Sequence, residues 1–99
     1  MNVSIQTVRF NADSKLTEYV RQKLEKLSTF HDRIVEVEVY LKLDNVVHKI
    51  KDKIAEIRVR APRRNFFVKS SSKSFEQSFD AALESIVTQI KRKKAKIAA

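Results

Sequence analysis

Apolar and polar residues alternate along four stretches of this chain, while two other stretches carry apolar residues three or four positions apart. A period of two places successive side chains on opposite faces of a strand, and spacings of three and four place side chains on one face of a helix. The pattern therefore predicts four strands and two helices in the order βαβββα.

The first half of the chain predicts a strand, a helix and a second strand. Residues 3–10 alternate as a strand, and Asn11 and Asp13 then offer side chains that cap a helix. The predicted apolar stripe of that helix consists of Leu16, Val20, Leu24 and Leu27. In the following stretch, IVEVEVYLKL, the predicted buried face of the second strand consists of Val35, Val37, Val39, Leu41 and Leu43.

The second half predicts a hairpin, a further strand and a final helix. The stretch DNVVHKIKDK has the composition of a mobile hairpin connection, and IAEIRVR after it alternates as the third strand. APRRN is a turn that leads into the short fourth strand FFVKS. In SSKS, Ser72 or Ser74 is expected to cap the last helix. The predicted apolar stripe of this helix consists of Phe75, Phe79, Ala82, Leu83, Ile86 and Ile90.

These elements predict an α+β fold in which residues 1–99 form a single domain. The strand–helix–strand unit makes the first two strands parallel through a right-handed crossover, and short connections make the remaining strands antiparallel. Each element has one apolar side, so both helices are expected to pack on the same face of a four-stranded mixed sheet. The other face of the sheet is expected to be open to water.

The chain contains no glycine and no cysteine, and both absences narrow its chemistry. Phosphate-cradling loops, dinucleotide fingerprints and nucleophile elbows need glycine at sharp turns. Without cysteine there is neither a disulfide framework nor a thiolate metal site, and His31 and His48 have no second ligand at a metal-binding spacing. We therefore expect no enzyme activity, no metal and no cofactor.

The chain carries 21 Lys and Arg against 12 Asp and Glu, a net charge of +9 at pH 7, which suggests an anionic partner. Two segments contain cations and no acid. The first segment contains Arg58, Arg60, Arg63, Arg64, Lys69 and Lys73. The second segment contains Lys91, Arg92, Lys93, Lys94 and Lys96. A single basic run is typical of a solvated surface, but two runs together with the net charge predict a footprint for a phosphate backbone.

The basic run KRKKAK lies at the end of the last helix. At 100° per residue, Lys93 and Lys94 lie at the margins of the apolar stripe, while Lys91 and Arg92 lie well away from it. Cations on all sides indicate that the helix extends past the sheet. One or two cations suit a helix C-terminus because they complement its dipole, but five exceed that need.

The open face of the sheet offers little for catalysis or for base stacking. Glu36 and Glu38 lie two residues apart on one strand face, but charge pairing with Arg58 and Arg60 on the neighbouring strand is favoured over a catalytic role. Tyr40 is the only stacking aromatic predicted on this face. That count argues against an RNA-binding module that uses the sheet.

Two helical stretches carry a resemblance to a known family. LTEYVRQKLEKL has a tyrosine before an apolar-spaced KLEKL, and SFEQSFDAALESIVTQIKRKKAK has an aromatic start, Ala and Asp, and a basic end. They are similar to the first and last helices of the ribosome hibernation-promoting factors, also called ribosome-associated inhibitors. The βαβββα order fits this family, so the resemblance covers essentially the whole chain.

The resemblance implies a function. Members of this family bind the small ribosomal subunit in the channel between head and body, where messenger RNA and the A-site and P-site transfer RNAs otherwise lie. Their basic residues contact ribosomal RNA, and their binding silences translation in stationary or starved cells. By position, the resemblance assigns such contacts to Lys23, Lys26, Lys91, Arg92 and Lys94. With the two basic segments, the candidate RNA-binding residues are Lys23, Lys26, Arg58, Arg60, Arg63, Arg64, Lys91, Arg92, Lys93, Lys94 and Lys96.

The chain departs from the family pattern in its last helix. Many members read KLERQL where this chain reads SIVTQI, so Ser85 and Thr88 replace two cations. This replacement shifts the expected RNA contacts toward residues 91–96. Residues 1–99 resemble the short form of the family, so we expect no second, C-terminal domain of the kind with which long members pair ribosomes.

Two other classes of function stay open, namely a small single-stranded RNA module that uses the open sheet face and a basic protein-interaction domain. Sedimentation with small subunits and whole ribosomes, instead of with free RNA, distinguishes a hibernation factor from the RNA module. The first residues, MNVSIQTVRF, do not form a signal peptide, and no apolar stretch is long enough to span a membrane. We therefore expect a cytoplasmic protein with neither a membrane nor a small-molecule partner.

Overall fold

The computed structural model of the chain describes residues 1–27, 33–45 and 51–98, with side chains for residues 1–27, 33–44 and 53–92. Its elements follow the predicted βαβββα order. They are β1 (Asn2–Val8), α1 (Ser14–Glu25), β2 (Glu36–Asn45), β3 (Lys51–Ala61), β4 (Arg64–Ser72) and α2 (Phe75–Ala98). None of the helices in this part of the chain is long and apolar enough to cross a membrane.

The four strands form one mixed sheet in the order β1-β2-β3-β4. β1 pairs with β2 in parallel, and the β2–β3 and β3–β4 pairs are antiparallel, as the sequence predicts. In this register Ile5 is opposite Val39, which is opposite Ile57, which is opposite Val68. One apolar row therefore crosses the whole sheet on a single face.

Both helices pack on that apolar face and form one hydrophobic core with it, which confirms the predicted arrangement. The strands contribute buried residues at alternate positions: Val37, Val39, Leu41, Ala55, Ile57, Val59, Phe66 and Val68. The helices contribute residues at helical spacing: Leu16, Val20, Leu24, Phe75, Phe79, Ala82, Ile86 and Ile90. Burying one such large apolar side chain stabilises the fold by about 1.5–3 kcal/mol. The many apolar residues on this face therefore determine that both helices pack on it.

Polar side chains cap both helices at their N-termini. Asp13 caps α1, because its Oδ1 accepts a hydrogen bond from the backbone N–H of Leu16 at 2.8 Å. Ser74 Oγ accepts from the backbone N–H of Gln77 at 3.2 Å at the start of α2. Ser72, the other predicted cap, instead lies 2.8 Å from the hydroxyl of the fully buried Ser78.

Several element boundaries differ from the prediction. β1 ends at Val8 and not at residue 10, because Arg9 has a φ of 69°, which no strand adopts. β4 is longer than FFVKS. The predicted mobile hairpin at residues 44–53 is partly strand, since β2 includes residues 44 and 45 and β3 begins at Lys51; residues 46–50 lie outside the described part.

Three side chains differ from the prediction in their exposure or surroundings, although only Val35 departs from the strand alternation itself. Val35 is 47% exposed, because β2 begins only at Glu36 and Ile34 occupies the buried place before it. Glu56 lies on the open face but is only 5% exposed, because it pairs with Lys42 at 2.8 Å. Phe67 is 49% exposed on the open face, so Tyr40 is not the only aromatic residue there.

The topology brings several chain segments to one end of the molecule. β1, β2 and β4 begin at this end and β3 ends there, because Asn2 is opposite Glu36, Glu36 is opposite Arg60, and Ala61 is opposite Arg64. Each helix follows a strand that runs away from this end and packs back along the sheet. The C-terminal ends of α1 and α2 therefore point toward the same end.

Candidate nucleic-acid interface

Most of the candidate basic residues lie at this end of the molecule, which we call the basic end. It includes the last turn of α1, the end of β3, the β3–β4 turn, the start of β4 and the C-terminal part of α2. Apart from Lys23, which contacts α2, the candidate residues with described side chains at the basic end are Lys26, Arg60, Arg63, Arg64, Lys91 and Arg92. The two basic segments of the sequence, which are distant along the chain, thus meet in the fold.

The β3–β4 turn presents two of these cations on a constrained backbone. Pro62 and Arg63 connect the paired residues Ala61 and Arg64, and Arg63 has a φ of 66°. Left-handed backbone favours glycine, and the chain has none. Arg63 is exposed, whereas Arg64 is half-buried and its Nη1 is buried with no hydrogen-bond partner in the described part of the chain.

The C-terminal part of α2 extends the basic end outward. Ile90 is fully buried, and Lys91 and Arg92 immediately after it are exposed, as the helical spacing predicts. The helical backbone continues from Ile90 to Ala98, a further rise of about 12 Å. This stretch carries Lys93, Lys94 and Lys96, whose side chains lie outside the described part. Ser85 and Thr88 are exposed, so they lie on the surface where the family pattern places cations.

Lys23 differs from the other candidates because it takes part in a contact between the two helices. Its Nζ lies 2.9 Å from Asp80 Oδ1 and 4.7 Å from the centre of the Tyr19 ring. The Tyr19 hydroxyl lies 2.7 and 2.9 Å from the two carboxylate oxygens of Asp80. Tyr19 first, and Asp80 second, raise the pKa of Lys23. Asp80 was not predicted from the sequence as a partner of Lys23, because charge pairs within α1 already accounted for the charged residues of that helix.

Arg58 and Arg60 both point to the open face of the sheet, as predicted, but they have different neighbours. Arg60 pairs with Glu36, which confirms the expected cross-strand charge pair. Arg58 lies directly opposite Glu38 in the register, yet its guanidinium is placed over aromatic rings instead, at 5.5 Å from the Tyr40 ring centre and 5.3 Å from that of Phe67. The two adjacent phenylalanines in FFVKS could have predicted an aromatic residue on the open face, because strand alternation turns one of them outward.

Not all of the first acid-free segment reaches the basic end. Lys73 follows the end of β4, at the opposite end of the sheet, and Lys69 lies opposite Glu56 near the middle of the β3–β4 pair. A run of like charges in sequence is therefore only partly a contiguous surface, because a strand of nine residues spans roughly 30 Å.

The described residues show no arrangement for metal binding. Among residues 1–27, 33–45 and 51–98, no three His, Asp or Glu side chains form a group able to hold a metal ion. His31 and His48 lie outside the described residues.

Comparison with known proteins gives the fold and the family. No curated protein matches this chain. A ribosomal subunit interface protein from Coxiella burnetii has a similar fold, with a TM-score of 0.85 over 96% of this chain and 99% of that chain at 19% identity. The N-terminal domain of Thermus thermophilus Protein Y is 26% identical, with a TM-score of 0.79 over 93% of this chain and 98% of its own. The sequence model of the family described as Sigma 54 modulation protein / S30EA ribosomal protein matches residues 3–98, which confirms the family resemblance: the chain belongs to this family.

Proposed function

We propose that this protein binds the small ribosomal subunit in the channel that messenger RNA and the A-site and P-site transfer RNAs otherwise occupy, and that it keeps ribosomes inactive in stationary phase or stress. Family membership supports a ribosomal role, and one of the similar structures is described as a ribosomal subunit interface protein. The position in the channel and the role in stress follow from the family resemblance. Such a role is one of binding, without catalysis, and it belongs in the cytoplasm.

The observation that carries this proposal is the meeting of separate basic segments at one end of the fold. A phosphate backbone is recognised mainly by cations, and these contacts fix the position of a protein on RNA without reading its sequence. At the basic end, the cations of the β3–β4 turn and of α2 are carried by elements whose buried residues belong to one core. A positively charged end held by one core suits insertion between segments of folded RNA.

The test replaces Lys91, Arg92 and Lys94 together by Ala. Binding to purified small subunits should weaken, chiefly because fewer counterions are released from RNA. With about 0.7–0.9 per phosphate contact, the slope of log affinity against log salt concentration should fall by about 2 to 3. Folding should change little, because Lys91 and Arg92 are exposed and exposed substitutions usually cost less than about 0.5 kcal/mol.

The matched control removes the same charge from the opposite end of the molecule, by replacing Lys15, Lys53 and Lys73 with Ala. Lys15 lies at the start of α1, and Lys53 is opposite Ser72 at the end of β4. If both triple variants lose affinity and salt slope equally, only net charge matters and the basic end is not the interface. If neither the parent nor the variants sediment with small subunits, the proposed function itself is wrong.

A further inference from the structure

The open face of the sheet carries an aromatic and cationic stack that the basic end does not include. The Arg58 guanidinium lies over both the Tyr40 and the Phe67 rings. The register explains the stack, because Phe67 is directly opposite Arg58 on β4 and Tyr40 lies diagonally from it on β2. A guanidinium held over two rings is limited in its orientation and offers a flat surface for stacking.

Beside this stack is a shallow cavity of about 410 Å³ on the open face. Its lining includes Glu36, Glu38, Arg58, Arg60, Asn65 and Phe67. The volume is within the range of roughly 300–1,000 Å³ that is typical of small-ligand sites. The cavity therefore has room for a single inserted group, in contrast to the flat surface of a protein–protein contact.

The edges of the cavity offer both hydrogen-bond acceptors and donors. Glu38 accepts a hydrogen bond from the Tyr40 hydroxyl at 2.9 Å and thereby raises the pKa of Tyr40. Glu36 accepts from Arg60. An ionised carboxylate accepts through two oxygens, so one neighbour does not exhaust the capacity of either group. Arginine and asparagine side chains supply donors to the same cavity.

This face does not share the charge excess of the basic end. Within the described residues, three ion pairs lie on it: Arg9–Asp44, Lys42–Glu56 and Arg60–Glu36. Paired charges release few counterions when a ligand binds. A ligand at the cavity should therefore be held by stacking and hydrogen bonds, and its binding should depend little on salt.

We infer that the cavity holds one unpaired nucleobase, with guanine the best match. The base stacks on the Phe67 ring and the Arg58 guanidinium, as unpaired bases stack on aromatic and arginine side chains in RNA complexes. A guanine has N–H groups that donate to a carboxylate and an O6 that accepts from an arginine or asparagine. Glu36 and Glu38 provide the carboxylates on the strand next to Arg58.

The position of the cavity favours a nucleobase over a protein side chain. Arg60 lines the cavity and also belongs to the basic end, so the two sites are continuous. An RNA strand with its phosphates at the basic end would have its next unpaired base within reach of the cavity. The inference thus rests on the proposed function, because the base belongs to the RNA that the basic end binds.

The test compares Phe67→Ala with Phe67→Tyr in binding to small subunits. Loss of one stacked base should weaken binding by roughly 5- to 150-fold with no change in salt slope. Phe67→Tyr keeps the ring and should bind within about threefold of the parent. Val8→Ala is the control, because Val8 is also an exposed apolar residue on the open face, but at the opposite end of the sheet. Thermal unfolding of each variant establishes that folded protein is compared.

A second arm measures the fluorescence anisotropy of a short unstructured oligouridine that carries either one guanosine or one adenosine. The parent should bind the guanosine probe more tightly, and Phe67→Ala should abolish the preference. If all variants bind subunits and probes like the parent, while the parent keeps its salt-dependent binding, the nucleobase site is wrong and the proposed function stands. If Phe67→Ala weakens binding to subunits but not to the probes, the face binds a protein and the inference is overturned. If the parent fails to bind subunits but keeps the guanosine preference, the nucleobase site stands and the proposed function does not.

Discussion

The backbone at Arg63 allows a test that separates stability from binding at the same residue. Arg63 occupies the second position of the Pro62–Arg63 turn with a φ of 66° and an exposed side chain. A left-handed backbone conformation destabilises a residue that has a Cβ by about 1–2 kcal/mol, whereas glycine has no such cost. The change Arg63→Gly removes this cost and one positive charge at the basic end.

The expected gain is the difference of two opposing terms. Relief of the left-handed backbone contributes about 1–2 kcal/mol. The greater freedom of glycine in the unfolded chain takes back about 0.4–1 kcal/mol. The net gain in unfolding free energy lies between about 0 and 1.6 kcal/mol, with a central value of about 0.8 kcal/mol. The central value raises the Tm of a domain of this size by roughly 3 to 6 °C.

Thermal and urea unfolding of Arg63→Gly and Arg63→Ala measure the gain. Alanine removes the same charge but keeps the Cβ, so its stability should stay within about 0.5 kcal/mol of the parent. Both variants should lose affinity for small subunits and reduce the salt slope by about 0.7–0.9. If Arg63→Ala is as stable as Arg63→Gly, relief of charge repulsion explains the gain and the backbone argument fails.

Three further changes test the core, a helix cap and the contact between the helices. Phe79→Ala removes a fully buried side chain and should lower the free energy of unfolding, measured in urea, by about 3–5 kcal/mol. Leu83→Ala changes a half-buried residue of the same helix and should lower it much less. Equal losses would contradict the assignment of Phe79 to the core. Asp13→Ala should cost about 1 kcal/mol in the same assay, whereas a similar loss in the exposed, non-capping Asn11→Ala would contradict the cap. Tyr19 first, and Asp80 second, raise the pKa of Lys23 above 10.5, so the stability that this lysine contributes is complete at neutral pH and is lost only as the pH rises through the raised pKa. The difference in Tm between the parent and Lys23→Met should therefore stay constant near pH 7 and narrow above pH 10.5. A difference that narrows near neutral pH would refute the linkage.

The periodicity of the sequence was sufficient to predict the fold, because each element buries a single face. The residues Val37, Val39 and Leu41 are fully buried in the strand that alternates most regularly, and both helices pack on that face. Alternation failed just before the start of a strand. Val35 precedes β2, and Ile34 takes the buried place there, so the side chain of Val35 is exposed.

The candidate site was predictable in composition but only partly in its pairings: the Arg60–Glu36 pair was expected, and the contacts of Arg58 and Lys23 were not. The sequence identified Arg58 as an outward-facing cation, but charge pairing with Glu38 and stacking on Phe67 were both compatible with its position. Likewise, Asp80 and Lys23 are 57 residues apart, and their contact depends on how two helices lie side by side. Periodicity gives the face on which a side chain lies, whereas its partner is decided by the packing of elements that are remote in sequence.

The proposed sites on the basic end and on the open face of the sheet would together restrict the positions at which this protein binds along an RNA. Phosphate contacts alone give affinity at many positions along an RNA, since every nucleotide carries the same charge. A site that accepts one unpaired base restricts those positions, because stacking and edge contacts exist only where a base is free. The restriction requires a fixed spacing between the two sites. Glu36 and Arg60 are opposite each other in the β2–β3 register and pair through their side chains, so both sites lie on the same stretch of sheet. Because Glu36 lines the cavity and also pairs with Arg60, Glu36→Ala should weaken the preference for guanosine. Arg60 loses this partner in the variant, so the salt slope of small-subunit binding should rise by no more than about 0.7–0.9. An unchanged guanosine preference would contradict a single mode of binding that uses both surfaces.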